Sequence, residues 1–164
     1  MIAIDREKLV LAADDFGMNG KANQRILELA ASGKIDRVAV LVNRQFSREE
    51  LDSLIASKVK LDIHLDMQQV SDQGGAFERT VFFLFKYLIG GISPGKIEKK
   101  WEEQVEKFRQ IFQKNPDGLN SHMHMHFFPP YFKTALKLAS RHGISYLRFG
   151  KSGISKSRDY VYGN

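Results

Sequence analysis

The chain contains no cysteine. Disulfides and thiolate metal ligands are therefore excluded, and any metal must be held by histidine and carboxylate. It also lacks a long hydrophobic run. The longest candidate, Val81 to Ile89, is interrupted by Lys86 and is too short to span a bilayer. The opening MIAIDREKLVL has none of the charged, then apolar, then small-residue order of a signal peptide. These absences lead to the expectation of a cytoplasmic protein with no membrane partner. There is no internal repeat and no low-complexity segment.

What is present is an ordinary globular composition. With 164 residues, 43% hydrophobic and 27% charged, the chain can bury a core as a single domain, and it is not of the disordered class. The net charge of +6 raises the question of a nucleic-acid partner. The basic residues, however, alternate with glutamates, as in KIEKKWEEQVEKFRQ, which is the pattern of a solvated helix face. The acid-poor stretch RFGKSGISKSR near the C-terminus reads as a surface tail. No nucleic-acid partner is expected.

Strand and helix signals alternate along the chain. Lys8 to Ala13 reads as a buried strand, and Asn19 caps a helix that runs to about Ser32 and stops at Gly33. Arg37 to Val42 is a second buried strand. Ser47 and Glu50 form a capping box that starts a helix to about Ser57. Val59 to Leu65 is a third strand, and residues 66–76 are a polar, Gly-rich loop. Phe77 to Leu88 fits a helix packed on both sides. Ser93-Pro94 opens a helix to about Gln113, with Ile97, Trp101, Val105, Phe108 and Phe112 on one face. After a turn at Asn115 to Gly118, Leu119 to Phe127 holds a fourth strand and the loop following it. A helix from Pro129 to Gly143 and a fifth strand, Ile144 to Phe149, follow; from Gly150 there is no periodicity. The expectation is an α/β fold with a mainly parallel sheet, whose ligand lies at the carboxyl ends of the strands.

Polar residues gather at those ends. Asp14-Asp15 follows the first strand, and two adjacent buried carboxylates repel unless a cation joins them. One can then ligate the ion while the other takes a proton from bound water. His64 and Asp66 follow the third strand. In SHMHMH, an extended backbone would point His122, His124 and His126 one way and Met123, Met125 and Phe127 the other. Residues two apart are separated by roughly 6–7 Å and residues four apart by roughly 13 Å. One ion can therefore bridge at most two of the three histidines. Two histidines plus a carboxylate, with open positions for water, make a catalytic metal site. His142 precedes Gly143 at a helix C-terminus, where the helix dipole accounts for it.

ADDFGMN (Ala13 to Asn19), IHLDM around His64 and NSHMHMHFFP (Asn120 to Pro129) resemble, in order and spacing, the YdjC-like carbohydrate deacetylases, which include the chitooligosaccharide deacetylases. The resemblance extends to about Phe149. By matched position it implies that Asp15, His64 and His122 bind one divalent ion and that Asp14 is the general base. His124 and His126 fall on family histidine positions, with His124 the candidate general acid. The family's ion is usually magnesium, whereas two imidazoles favour zinc, so either Mg2+ or Zn2+ is expected. The substrate implied is a small N-acetylated sugar or oligosaccharide. Two departures stand out. Asn120 replaces the Asp that usually precedes Ser-His, which is expected to weaken the orientation of a ligand or catalytic group. The chain is also shorter than typical members, so residues 1–164 are expected to form one incomplete (β/α) barrel-like domain, shortened at its C-terminus. Its open sheet edge invites a homodimer. The competing readings are a different metal-dependent amidohydrolase and an inactive metal- or sugar-binding module.

Overall fold

A computed structural model of the protein describes residues 9–67 and 93–148. Strands and helices alternate in it. In chain order they are β1 (Ala12–Phe16), α1 (Gly20–Ala31), β2 (Arg37–Val40), α2 (Arg48–Ala56), β3 (Lys60–Leu65), α3 (Pro94–Phe112), β4 (Gly118–Ser121), a 3-10 turn (His122–Phe127) and α4 (Pro129–His142). The helix starts follow local chemistry. Asn19 Oδ1 accepts the Ala22 N–H at 2.9 Å. Ser47 and Glu50 exchange their reciprocal capping-box bonds at 3.1 and 2.6 Å. Prolines open α3 and α4, and Gly143, at φ 65°, ends α4. The helix expected over 77–88, the loop beyond 67 and the chain from Gly150 lie outside the described residues.

The sheet is parallel throughout, in the order β1-β2-β3-β4. Each strand is laid beside its predecessor, as in the wall of a (β/α) barrel; a doubly wound sheet would reverse its order. Leu147 bridges Leu119 in parallel, and among the described residues of the fifth strand expected over 144–149 this is the pairing seen beside β4. Two bonds hold it: Leu119 N–H donates to the Tyr146 carbonyl at 2.8 Å, and Arg148 N–H donates to the Leu119 carbonyl at 3.1 Å.

Alternation along each strand separates two environments. Val38, Val40, Leu61, Ile63, Leu65 and Leu119 join Ile26, Leu54, Trp101, Val105, Phe108, Tyr131 and Leu138 in one buried apolar cluster. The intervening positions carry Asp14, Arg37, Asp62, His64, Gly118 and Asn120. Helix α3 buries the five apolar residues its periodicity indicates, plus Gln104. Its Trp101 packs on Tyr131 of α4, with ring centroids 5.5 Å apart. Among the described residues, no helix is long and apolar enough to cross a membrane.

The first strand departs from its expected place. It spans Ala12–Phe16 rather than Lys8 to Ala13, and Leu9, Val10 and Leu11 are exposed. The apolar run marks the approach to the strand. Leu11 is anchored by Asp36, whose carboxylate accepts the Leu11 N–H at 2.7 Å and whose N–H donates to the Leu11 carbonyl at 2.7 Å. Pairing with β2 then begins at Ala12 opposite Arg37.

Near the starts of β2, β3 and β4 lies a buried ion pair. Arg37 reaches both Asp62 oxygens, at 2.9 and 2.5 Å, donates to the Asp117 carbonyl at 3.0 Å, and lies 3.9 Å from the Tyr146 ring centroid. Gly118 makes the room. A Cβ there would stand 2.5 Å from Asp62 Oδ1 and 2.6 Å from both Arg37 Nη2 and Tyr146 Cδ1. Arg37→Met is expected to cost about 3–5 kcal/mol by leaving the Asp62 carboxylate buried and unpaired. Gly118→Ala is expected to cost at least about 1–3 kcal/mol by overpacking. Urea unfolding measures both, and adding Asp62→Leu to Arg37→Met should restore stability.

Candidate functional site

In a regular strand, consecutive side chains point to opposite faces. Asp14 and Asp15 do not. Ala13 pairs with Val38 and Phe16 with Val40, so two residues of β1 oppose one residue of β2, which is a β-bulge. Asp15 adopts φ 66°, a left-handed conformation unusual for a residue other than glycine. Gly17, at φ 101°, then turns the chain; its N–H donates to buried Asn23 Oδ1 at 2.6 Å. Asn23 in turn donates to Glu50 Oε1 at 2.9 Å, which ties the turn to the start of α2. The two carboxylates thereby lie within β1, both facing residues from β3 and β4, and not beyond the strand as its expected limits imply.

Asp15 Oδ1 lies 3.1 Å from His64 Nε2 and 2.9 Å from His122 Nδ1. The two imidazoles meet edge to face with centroids 5.5 Å apart. Asp15, His64 and His122 each offer a ligand atom, all within 4.8 Å of one another. Donors on metal arms of about 2.0–2.1 Å lie roughly 3.3 Å apart in a tetrahedral site, so this set needs little movement to close on an ion. Hydrogen bonds to His122 and His64 hold the Asp15 carboxyl well below the usual carboxylate range. The Asp15 hydrogen bond raises His122 despite the opposing effect of burial.

Asn120 joins the two halves of the site. It pairs with His64 across β3 and β4. Its Oδ1 stands 2.6 Å from His64 Nδ1, and its Nδ2 donates to Asp14 Oδ1 at 3.2 Å. A carboxylate only accepts, so the amide nitrogen must face Asp14 and the amide oxygen must face an N–H at His64 Nδ1. His64 Nε2 is the ring nitrogen that faces Asp15. The replacement of Asp by Asn at this position therefore keeps the orienting contact. Arg148, which the sequence reading overlooked, completes the surroundings of Asp14. Its Nη1 donates to Asp14 Oδ1 at 2.7 Å, and its Nη2 contacts Oδ2. Burial raises Asp14, but Arg148, His64 and Asn120 together outweigh it and leave the carboxyl below its ordinary value.

The three histidines do not share a face. Met123 and His124 both adopt φ 54°, which breaks the extended alternation immediately after His122. His122 turns to Asp15. His124 is exposed and stacks on Phe127, with centroids 5.4 Å apart at 10°. His126 is buried, with Nδ1 2.7 Å from Ser121 Oγ and Nε2 2.9 Å from the Arg148 carbonyl. The site thus gathers Asp14, Asp15, His64 and His122, and leaves His124 outside the donor cluster. Asp66 follows His64 by two residues and is clamped by Gln104, which accepts the Asp66 N–H at 2.9 Å and donates to its carbonyl at 2.7 Å.

Glu102, Glu106 and His142 form a second grouping, between α3 and α4. Arg141 already neutralises Glu102 at 2.6 Å, and His142 Nε2 lies 2.7 Å from the same carboxylate. This is an interhelical clamp, and it adds a side-chain partner to the dipole explanation of His142.

The model of one protein family, YdjC-like protein, matches residues 8–161. The chain belongs to the YdjC-like family. Among curated relatives it is 22% identical over 160 residues to a mouse (Mus musculus) protein named carbohydrate deacetylase, covering 90% of this chain and 52% of the relative. It is 24% identical over 153 residues to the zebrafish (Danio rerio) protein of the same name, covering 86% and 49%. The chain therefore spans about half the length of these relatives. A crystal structure from Enterococcus faecalis, of a protein provisionally described as acting in cellobiose-phosphate cleavage, superposes with a TM-score of 0.65. It is 19% identical, with 90% of this chain and 60% of that one covered, and it supports the YdjC-like fold.

One pH dependence follows for this YdjC-like site. Burial pushes His126 down to about 4, against 6.5 for a free imidazole. The unfolded chain therefore binds the proton more readily, and stability falls as pH drops from about 6.5 toward 4. At 1.36 kcal/mol per unit, the contribution of His126 to this loss is about 3 kcal/mol. Urea unfolding of wild type and His126→Gln at neutral and acid pH, both with chelator, reads it as a difference. A gap between the two proteins that does not change with pH would contradict a neutral, buried His126.

Proposed function

We propose that the protein is a metal-dependent carbohydrate N-deacetylase, a hydrolase that removes the acetyl group from an N-acetylated sugar or chitooligosaccharide. The reading takes residues 1–164 as one YdjC-like domain. The observation that carries it is the convergence of Asp15, His64 and His122 beside Asp14, a carboxylate kept ionised by Arg148. The names of the mouse and zebrafish relatives support the substrate class and the reaction.

The donor set fits a divalent ion. His64 has its Nδ1 hydrogen committed to Asn120, which leaves Nε2 as a ligand atom. Two imidazoles and one carboxylate leave coordination positions open, and their chemistry suits zinc better than magnesium. When bound, such an ion supplies Lewis acidity toward the acetamide carbonyl and acidifies water. Asp14 then accepts the proton of the attacking water. Its lowered pKa makes it a weak base, matched only to an acidified water. The water oxygen bonds to the acetyl carbon and the C–N bond breaks. His124, on the exposed turn after His122, protonates the departing amine, and acetate and the amino sugar leave.

Purified protein is expected to release acetate from N,N′-diacetylchitobiose with zinc, and a chelator should stop it. Asp14→Asn should retain the metal and lose about 10²–10⁴ in kcat. His122→Ala should weaken metal binding by more than the roughly 10–100-fold expected when a residue that only orients a ligand is changed. Calorimetry for the metal and an enzymatic acetate assay measure these effects. Full activity in Asp14→Asn would remove Asp14 from the mechanism. Stoichiometric zinc without acetate release from the wild type would instead favour a metal- and sugar-binding module.

A further inference from the structure

We infer that His126 is a positioning residue: its Nε2–H holds the Arg148 main chain, and through the Arg148 guanidinium it fixes the Asp14 carboxylate. The inference deepens the deacetylase reading and rests on Asp14 as the base.

The geometry selects a tautomer. The Ser121 hydroxyl oxygen accepts the His126 backbone N–H at 2.8 Å. The Arg148 carbonyl, 2.9 Å from Nε2, can only accept, so Nε2 carries the ring hydrogen and donates it. In the neutral ring Nδ1 is then the acceptor, and the Ser121 hydroxyl 2.7 Å away donates to it. One neutral tautomer satisfies all three contacts. His126 as a residue is only 1% exposed, so its ring bonds are largely shielded from bulk water.

Among the described residues, one bridge, Leu119 to Leu147, joins the segment that carries Arg148 to β4. The Arg148 N–H is held by the Leu119 carbonyl at 3.1 Å, and its guanidinium by Asp14. The His126 ring holds its carbonyl at 2.9 Å. The left-handed residues Met123 and His124 turn the chain so that His126, four residues after the ligand His122, reaches back to do this. The strain of the turn thus serves two ends: His122 at the donor cluster and His126 behind the arginine.

The test compares wild type, His126→Phe and His126→Gln. Phenylalanine keeps the bulk of the ring and loses the donor, whereas glutamine restores an N–H donor near Nε2. Long-range 15N NMR of the wild type should show the Nε2–H tautomer. Exchange of the Arg148 amide hydrogen should quicken in His126→Phe and recover in His126→Gln. Zinc affinity should be the same in all three. On N,N′-diacetylchitobiose, kcat should fall about tenfold or more in His126→Phe, the scale of one lost hydrogen bond, with KM little changed and kcat largely recovered by glutamine. An Nδ1–H tautomer would overturn the inference, as would Arg148 amide exchange indifferent to His126→Phe. Should His126→Phe fail to fold, the wild-type tautomer and the Arg148 protection in His126→Gln decide. A wild type that releases no acetate but gives the expected NMR results would sink the deacetylase reading and leave the positioning role standing.

Discussion

Two consecutive carboxylates facing one side of a strand are the constraint around which this site is arranged. The bulge at Asp14 and Asp15 creates that constraint, and it has two costs. A left-handed, non-glycine Asp15 carries roughly 1–2 kcal/mol of backbone strain, and two like charges brought together repel. Neither cost is met within β1. His64 comes from β3, Asn120 from β4, His122 from the turn after it, and Arg148 from the bridge beyond. The parallel register sets His64 beside Asn120, and the Leu119 to Leu147 bridge brings Arg148 alongside as well. A one-residue slip would turn these side chains to the opposite face of the sheet. The fold and the site therefore stand or fall together.

Much of this is legible in the sequence, for an identifiable reason. Alternating strands and helices imply a parallel sheet, and a parallel sheet collects its strand ends in one place. Asp14-Asp15, His64 and the histidine run could therefore be brought together on paper although they lie far apart in the chain, and the family resemblance singles out Asp15, His64 and His122 among them. What escaped was local irregularity. The apolar Leu9 to Leu11 draws the first strand too early and hides the bulge. Strict alternation through His122 to His126 assumes an extended backbone, and two left-handed residues remove it. Arg148 gives no local signal: a lone arginine in a short strand becomes informative only once Asn120 and Asp14 are its neighbours. Asn120 shows the reverse case. Its departure from the family pattern reads as a loss until the structure gives it both an acceptor role toward His64 and a donor role toward Asp14.

The polar face of the sheet solves the same electrostatic problem twice, in different ways. Asp62 and His64 lie two residues apart on β3 and share that face. Asp62 is closed off by Arg37, and Gly118 supplies the space. A guanidinium does not deprotonate in a protein, so that pair is fixed and belongs to the scaffold. The group around His64 is built from imidazoles, which can give up a proton and offer the same nitrogen to a cation. Moving from the starts of the strands toward their carboxyl ends, the compensation changes from permanent to exchangeable.

The same contrast separates Asp14 from Asp15, which the sequence alone leaves equivalent. Either carboxylate of an adjacent pair could be the ligand and either the base. Asp14 is bound by Arg148, which cannot yield its place by losing a proton, and by an Asn120 amide that can only donate to it. Its charge is therefore held at a fixed position with its basicity reduced. Asp15 faces two imidazoles, one of them, His122, with its proton affinity raised by Asp15 itself. That proton is the one group in the cluster a divalent cation can replace without stranding a buried charge, since the cation restores what the proton provided. The different partners of the two acids support the proposal of Asp15 as the ligand and Asp14 as the base. That assignment also explains why the two acids need partners of different chemical kinds, although they are neighbours in the chain.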